Sequence, residues 1–119
     1  MNEQLPNGWV SVRREDREVV GYLEALREDY ALVQPRNVLG HVIGDACDYL
    51  AGEERLLVRG LSDLTEPWGL ADGTVLSILE VSPHGIVLTD RLAAKALLPS
   101  ARVHVTWPDL EHRLQPAEL

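Results

Sequence analysis

The chain has one cysteine, no phenylalanine and no long apolar run, and each shortage closes off a class of protein. Cys47 has no second cysteine to pair with in its own chain, so a disulfide framework is excluded, and so is a cysteine-rich metal centre. No stretch approaches the roughly 18–20 apolar residues of a membrane helix. The opening MNEQLPNGW carries neither the basic n-region nor the apolar h-region of a secretory leader, and this points to the cytoplasm. Basic residues are scarce and scattered: 11 Lys and Arg stand against 19 Asp and Glu, a formal net charge of −8. Affinity for nucleic acid rests on cationic side chains neutralising phosphate, so direct DNA or RNA binding is not expected. The same charge repels an anionic membrane surface and would favour a basic partner, but an acidic surface is also common in proteins with no charged partner at all, and that is the stronger expectation.

What is present fits one domain. A chain of 119 residues has a typical domain length and can bury a core without disulfides or metal. There are no internal repeats and no linker-like tract. Residues 1–7 and 114–119 hold few apolar side chains and are expected to fray.

The segment from Thr74 to Thr89 (TVLSILEVSPHGIVLT) is the richest in structural signal. Two apolar runs flank a Ser82-Pro83-His84-Gly85 turn. Strict alternation sends Val75, Leu79 and Val81 one way and Leu76 and Ile78 the other, which predicts a hairpin covered on both faces. Upstream, Trp68 to Ala71 leads into Asp72-Gly73, a type I′ hairpin signal, so Trp68 to Thr89 reads as a three-stranded meander. Trp9 to Arg14, Val19 to Leu26 and Tyr30 to Gln34, joined by the polar turns Glu15-Asp16-Arg17 and Arg27-Glu28-Asp29, read as another. Gln34-Pro35 cannot continue as a central strand, because proline has no amide hydrogen. Val38 to Gly44 is a short strand or a packed loop. Asp45 is a candidate helix N-cap, and Cys47, Leu50, Leu57 and Leu61 recur at helical steps as an apolar stripe. Gly52 costs about 1 kcal/mol in such a helix, which allows a later start, Glu53 to Arg59, stopped at Gly60. A second short helix is expected over Arg91 to Leu98, and a one-sided strand over Arg102 to Trp107. The whole predicts an α+β fold: a twisted antiparallel sheet or partly open small β-barrel of two three-stranded meanders, with one or two short helices. The helix is the first candidate to cover the Thr74–Thr89 hairpin, and a second copy of the chain the next.

Chemistry is harder to read. His41, His84, His104 and His112 form no helical pair and no HExxH pattern. No glycine-rich phosphate loop and no G-x-S-x-G elbow occurs, and the pairs Glu15-Asp16, Glu28-Asp29 and Glu53-Glu54 fall in turns or at a helix start, where acids are solvated. Cys47 is a small apolar residue unless something lowers its pKa. No cofactor is implied and no residue is assigned a catalytic or metal-binding role. Trp68, His41, His104 and Trp107 are the candidate surface or pocket residues, the tryptophans because an amphipathic ring suits both core edges and binding surfaces.

The strings GYLEAL (Gly21 to Leu26), VLGHVIG, EPWGLADG and LEVSP resemble a group of small acidic actinobacterial proteins, and the likeness spans Trp9 to Thr89. The resemblance implies no activity, substrate or ligand. The residues themselves point to a non-catalytic protein-interaction module, self-associating or bound to another protein. The alternative is a small enzyme or ligand-binding barrel whose site gathers His41, His104 and a tryptophan from distant parts of the chain.

Overall fold

A computed structural model of the chain describes residues 5–90 and 102–117. It divides into two compact units, Met1–Asp63 and Leu64–Leu119. The first holds β1 (Trp9–Arg13), β2 (Val19–Ala25), β3 (Val33–Arg36) and helix α1 (Tyr49–Arg59). Helix α2 (Ser62–Thr65) stands at the division. The second unit holds β4 (Trp68–Gly69), β5 (Val75–Ser82), β6 (Gly85–Asp90), β7 (Arg102–Val105) and β8 (Gln115–Pro116). The architecture is α+β, with two twisted antiparallel sheets ordered β1-β2-β3 and β7-β6-β5-β4-β8. Neither sheet order closes on itself, so the expected twisted antiparallel sheet is present twice, open in both units. The helix expected over Arg91 to Leu98 lies outside the described residues.

Three of the connections share one construction. In Arg14–Glu18, Arg27–Ala31 and Leu70–Thr74 the first carbonyl accepts a hydrogen bond from the amide three residues on, at 2.9, 3.0 and 2.9 Å. The third residue is Asp16, Asp29 or Asp72, whose carboxylate accepts from the amide two residues further, at 3.0, 3.0 and 2.9 Å. The fourth, Arg17, Tyr30 or Gly73, turns to positive φ of 72°, 59° or 91°. The Asp72-Gly73 turn is therefore not type I′, which would place positive φ on Asp72 as well; the three-residue loop needs it at Gly73 alone.

Two of these carboxylates are held below the usual aspartate range. Asp16 is held by the Arg14 guanidinium and then by the Glu18 amide, Asp72 by the amide and side chain of Thr74. A carboxyl whose folded pKa is depressed stabilises the fold above its unfolded value, about 3.9, and that contribution is lost as pH falls through the folded value. Replacing Asp72 by Asn is thus expected to flatten the acid limb of the stability curve below about pH 4, measured by urea unfolding across pH. An unchanged acid slope would show that the Thr74 amide bond contributes nothing.

Both sheets carry a one-residue irregularity that breaks strict alternation. In the first sheet Val12 pairs with Gly21 and Arg13 with Val19, so Val20 is the extra residue, and Val20 joins Val12, Leu23, Val33 and Leu56 in one buried cluster. In the second, Ile78 pairs with Leu88 but Glu80 with Val87, leaving Leu79 unpaired. The bulge moves Val81 onto the face of Leu76 and Ile78, where it meets Ile86; Ile86 and Leu88 in turn pair with Val105 and Val103. This corrects the two-sided hairpin in part. Leu76, Ile78, Val81, Ile86 and Leu88 share one face. On the other, Val75, Ser77 and Val87 are half-buried and Thr89 is buried, but Leu79 is 49% exposed and Glu80 is exposed, so that face is covered toward Val75 and Thr89 and open toward the turn.

Other boundaries also shift. The third strand begins at Val33, after the Tyr30 turn, and accommodates Pro35 because β3 is the edge of its sheet; the Pro35 carbonyl accepts from the Ile43 amide at 2.9 Å. Val38 to Gly44 is a loop organised by buried Asn37, whose side-chain oxygen accepts from the amides of Leu39 and His41, both at 2.9 Å. The chain end expected to fray from residue 114 is tied down through residue 117. Leu114 is fully buried, β8 pairs with β4, and the Ala117 amide reaches the Pro67 carbonyl at 3.1 Å.

Candidate functional site

Two surfaces carry side chains that the fold itself does not use. The first is on the second unit. Because Glu80 pairs with Val87 and Val87 with His104, a carboxylate and an imidazole stand on the polar face of three adjacent strands. Together with Ser82, His84 and Trp107 they line an open hollow of about 410 Å³. Glu80 and His104 stand two strands apart with Val87 between them, and no hydrogen bond or ion pair joins them, so no acid–base pair is formed across the row. No group of three or more His, Cys, Asp or Glu that could hold a metal occurs among the described residues.

The four candidate residues are distributed as follows. His104 and Trp107 share the hollow. Trp68 sits in β4, buried beside Leu76 and Pro116, and does not line it. His41 lies in the first unit, buried in the loop that Asn37 organises. The tryptophans serve the interior: Trp9, Trp68 and Trp107 are all buried, and the Arg36 guanidinium lies 4.7 Å from the centre of the Trp9 ring while bonding Glu24 at 2.9 and 3.1 Å.

The second surface is the outer side of α1. The N-cap is Asp48, not Asp45: its carboxylate accepts from the Ala51 amide at 2.8 Å, and the helix ends at Gly60, whose amide bonds the Leu56 carbonyl at 3.0 Å. Gly52 lies well inside the helix. A side chain there would come within 2.8 Å of Leu23 and 3.2 Å of Val33, so the missing side chain is what lets α1 close onto the first sheet. Gly52 and Leu56 form the buried ridge, and within the first unit α1 packs against β1, β2 and β3.

The stripe expected to face the core therefore divides. Leu61 packs on the buried cluster, but Leu50 and Leu57 turn outward with Val58, at 75%, 42% and 82% exposure. At 100° per residue these three bracket Glu54 on the face opposite Gly52 and Leu56. Val58 is the residue that periodicity missed. The signal for it was the run Leu56-Leu57-Val58, which spans about 200° of a helix and cannot be buried by one sheet.

The charges around this face are unequal in freedom. Arg55 is held to the carbonyls of Ile43 and Asp45, at 3.4 and 2.8 Å. Arg59 forks onto buried Asp63 at 2.7 and 2.8 Å, an arrangement that raises its already high pKa. Glu53 and Glu54 form no ion pair among the described residues.

Comparison with protein-family models, with curated proteins and with solved structures finds no match to the chain. Among the described residues no helix is long and apolar enough to cross a membrane.

Proposed function

We propose that the protein is a non-catalytic protein-interaction module whose contact surface is the outer face of α1, engaging either another protein or a second copy of itself. The supporting observation is that Leu50, Leu57 and Val58 stay exposed on a helix whose opposite ridge is fully packed. Exposed aliphatic side chains in one contiguous group, rimmed by polar residues, mark an interaction site. Peptide-display selection on the full chain tests the reading. It expects enriched peptides whose binding is lost with Val58→Asp. Failure to enrich, or enrichment indifferent to that change, would overturn it.

A second reading, a small-ligand site in the hollow, is favoured by the meeting of His104, Trp107, His84 and Glu80 around one concavity. A fragment screen by NMR would support it through hits that shift the His104 and Trp107 signals and vanish in His104→Ala. Hits confined to other surfaces would remove it.

A further inference from the structure

Within that reading of α1, we infer that the occupant of its outer face is a cationic amphipathic segment of another protein, with two or three aliphatic anchors set around a Lys or Arg. The inference rests on which charges the helix leaves free. Leu50, Leu57 and Val58 enclose Glu54, and Glu53 stands on the flank. Both arginines of the helix are already engaged, Arg55 by two loop carbonyls and Arg59 by Asp63. Asp48 is used as the cap, and Asp45 is exposed nearby. Any partner covering the aliphatic groups must cover Glu54 with them, and a carboxylate drawn out of water needs a positive counter-charge.

A second copy supplies the wrong one. Pairing two identical faces about a two-fold axis sets their Glu54 carboxylates against each other, and a copy with a formal net charge of −8 is repelled on approach. A basic segment has the opposite balance in both respects. From Leu50 to Val58 the helix rises about 12 Å, so the face accommodates about two turns of a partner helix with anchors at i, i+3 or i+4, and i+7.

The test uses the full chain and two labelled synthetic helical peptides with the same leucine pattern, one carrying lysine and the other glutamate at the remaining polar positions, followed by fluorescence anisotropy. The lysine peptide is expected to bind about tenfold or more tightly than its acidic twin, and to weaken as salt rises from roughly 0.05 to 0.5 M. Glu53→Gln with Glu54→Gln is expected to cut its affinity several-fold. Glu15→Gln with Glu28→Gln, the same change in net charge placed in the β1–β2 and β2–β3 turns, is expected to leave it within about twofold, since exposed charges act over about a Debye length. Equal affinity for both peptides, or equal loss from both pairs of changes, overturns the cationic partner and leaves the binding face standing. Binding of neither peptide, or binding indifferent to Val58→Asp, overturns the face itself. A dimer in light scattering that Val58→Asp dissolves would make the occupant a second copy and end the inference.

Discussion

Replacing Gly52 by alanine is expected to destabilise the protein by about 2 kcal/mol, although alanine is the better helix former by about 1 kcal/mol. Packing decides the sign. An added methyl would lie 2.8 Å from Leu23, 3.2 Å from Val33 and 3.4 Å from the Cys47 sulfur, in a core that cannot open without moving the helix off the sheet. Gly21→Ala is expected to cost more, about 3 kcal/mol or above, because its methyl would meet a backbone atom, the Arg36 carbonyl, at 2.4 Å as well as Leu56 at 2.8 Å. Urea unfolding followed by circular dichroism measures both. A neutral or stabilising Gly52→Ala would mean that α1 does not sit on β2 and β3 as described.

Loss of the Asp109 carboxylate should be nearly as damaging. Its two oxygens accept from the amides of Arg113 and Leu114 at 2.9 and 3.0 Å, in a loop whose Leu114 is fully buried and whose Asp109 is itself 3% exposed. Asp109→Ala leaves two amides without acceptors, one of them buried, at about 1–3 kcal/mol for each that stays dry. The expected total is about 3 kcal/mol, with release of β8 from β4 visible as faster hydrogen exchange at Ala117. Asp109→Asn keeps one oxygen and should lose about half as much. Equal exchange rates in the wild-type and alanine proteins would show that the chain end is held by other means.

These two sites illustrate what a reading of the sequence reaches. Turn chemistry was legible: Glu15-Asp16-Arg17, Arg27-Glu28-Asp29 and Asp72-Gly73 fall between strands and Pro83-His84 joins the paired ends Ser82 and Gly85 of β5 and β6, because aspartate, proline and glycine act on their immediate neighbours. Strand facing was not legible past Gly21 or Ile78. A bulge shifts the count by one without changing composition, so residues three apart, such as Val20 and Leu23 or Ile78 and Val81, come to share a face. The inner side of α1 was misread for a related reason. Its packing centre is a glycine, which periodicity counts as a gap, so the apolar stripe of Leu50 and Leu57 marks the outer side and not the core side. Asn37 and Asp109 act through backbone amides two to five residues away, yet their burial depends on distant strands that no local pattern reveals. His104 reaches the hollow by strand pairing and Trp107 by following β7 two residues past its end; His41 and Trp68 are not among its lining residues.

The outer face of α1 is held to be a surface made for a partner and unused in folding, and unfolding of the Leu50→Asp, Val58→Asp double variant in urea tests that most directly. Since both side chains are largely exposed, at 75% and 82%, stability should stay within about 0.5 kcal/mol per site, with an unchanged dependence on denaturant. A loss of about 2 kcal/mol or more per site would mean that the folded chain itself buries this face, leaving nothing there for a partner to cover.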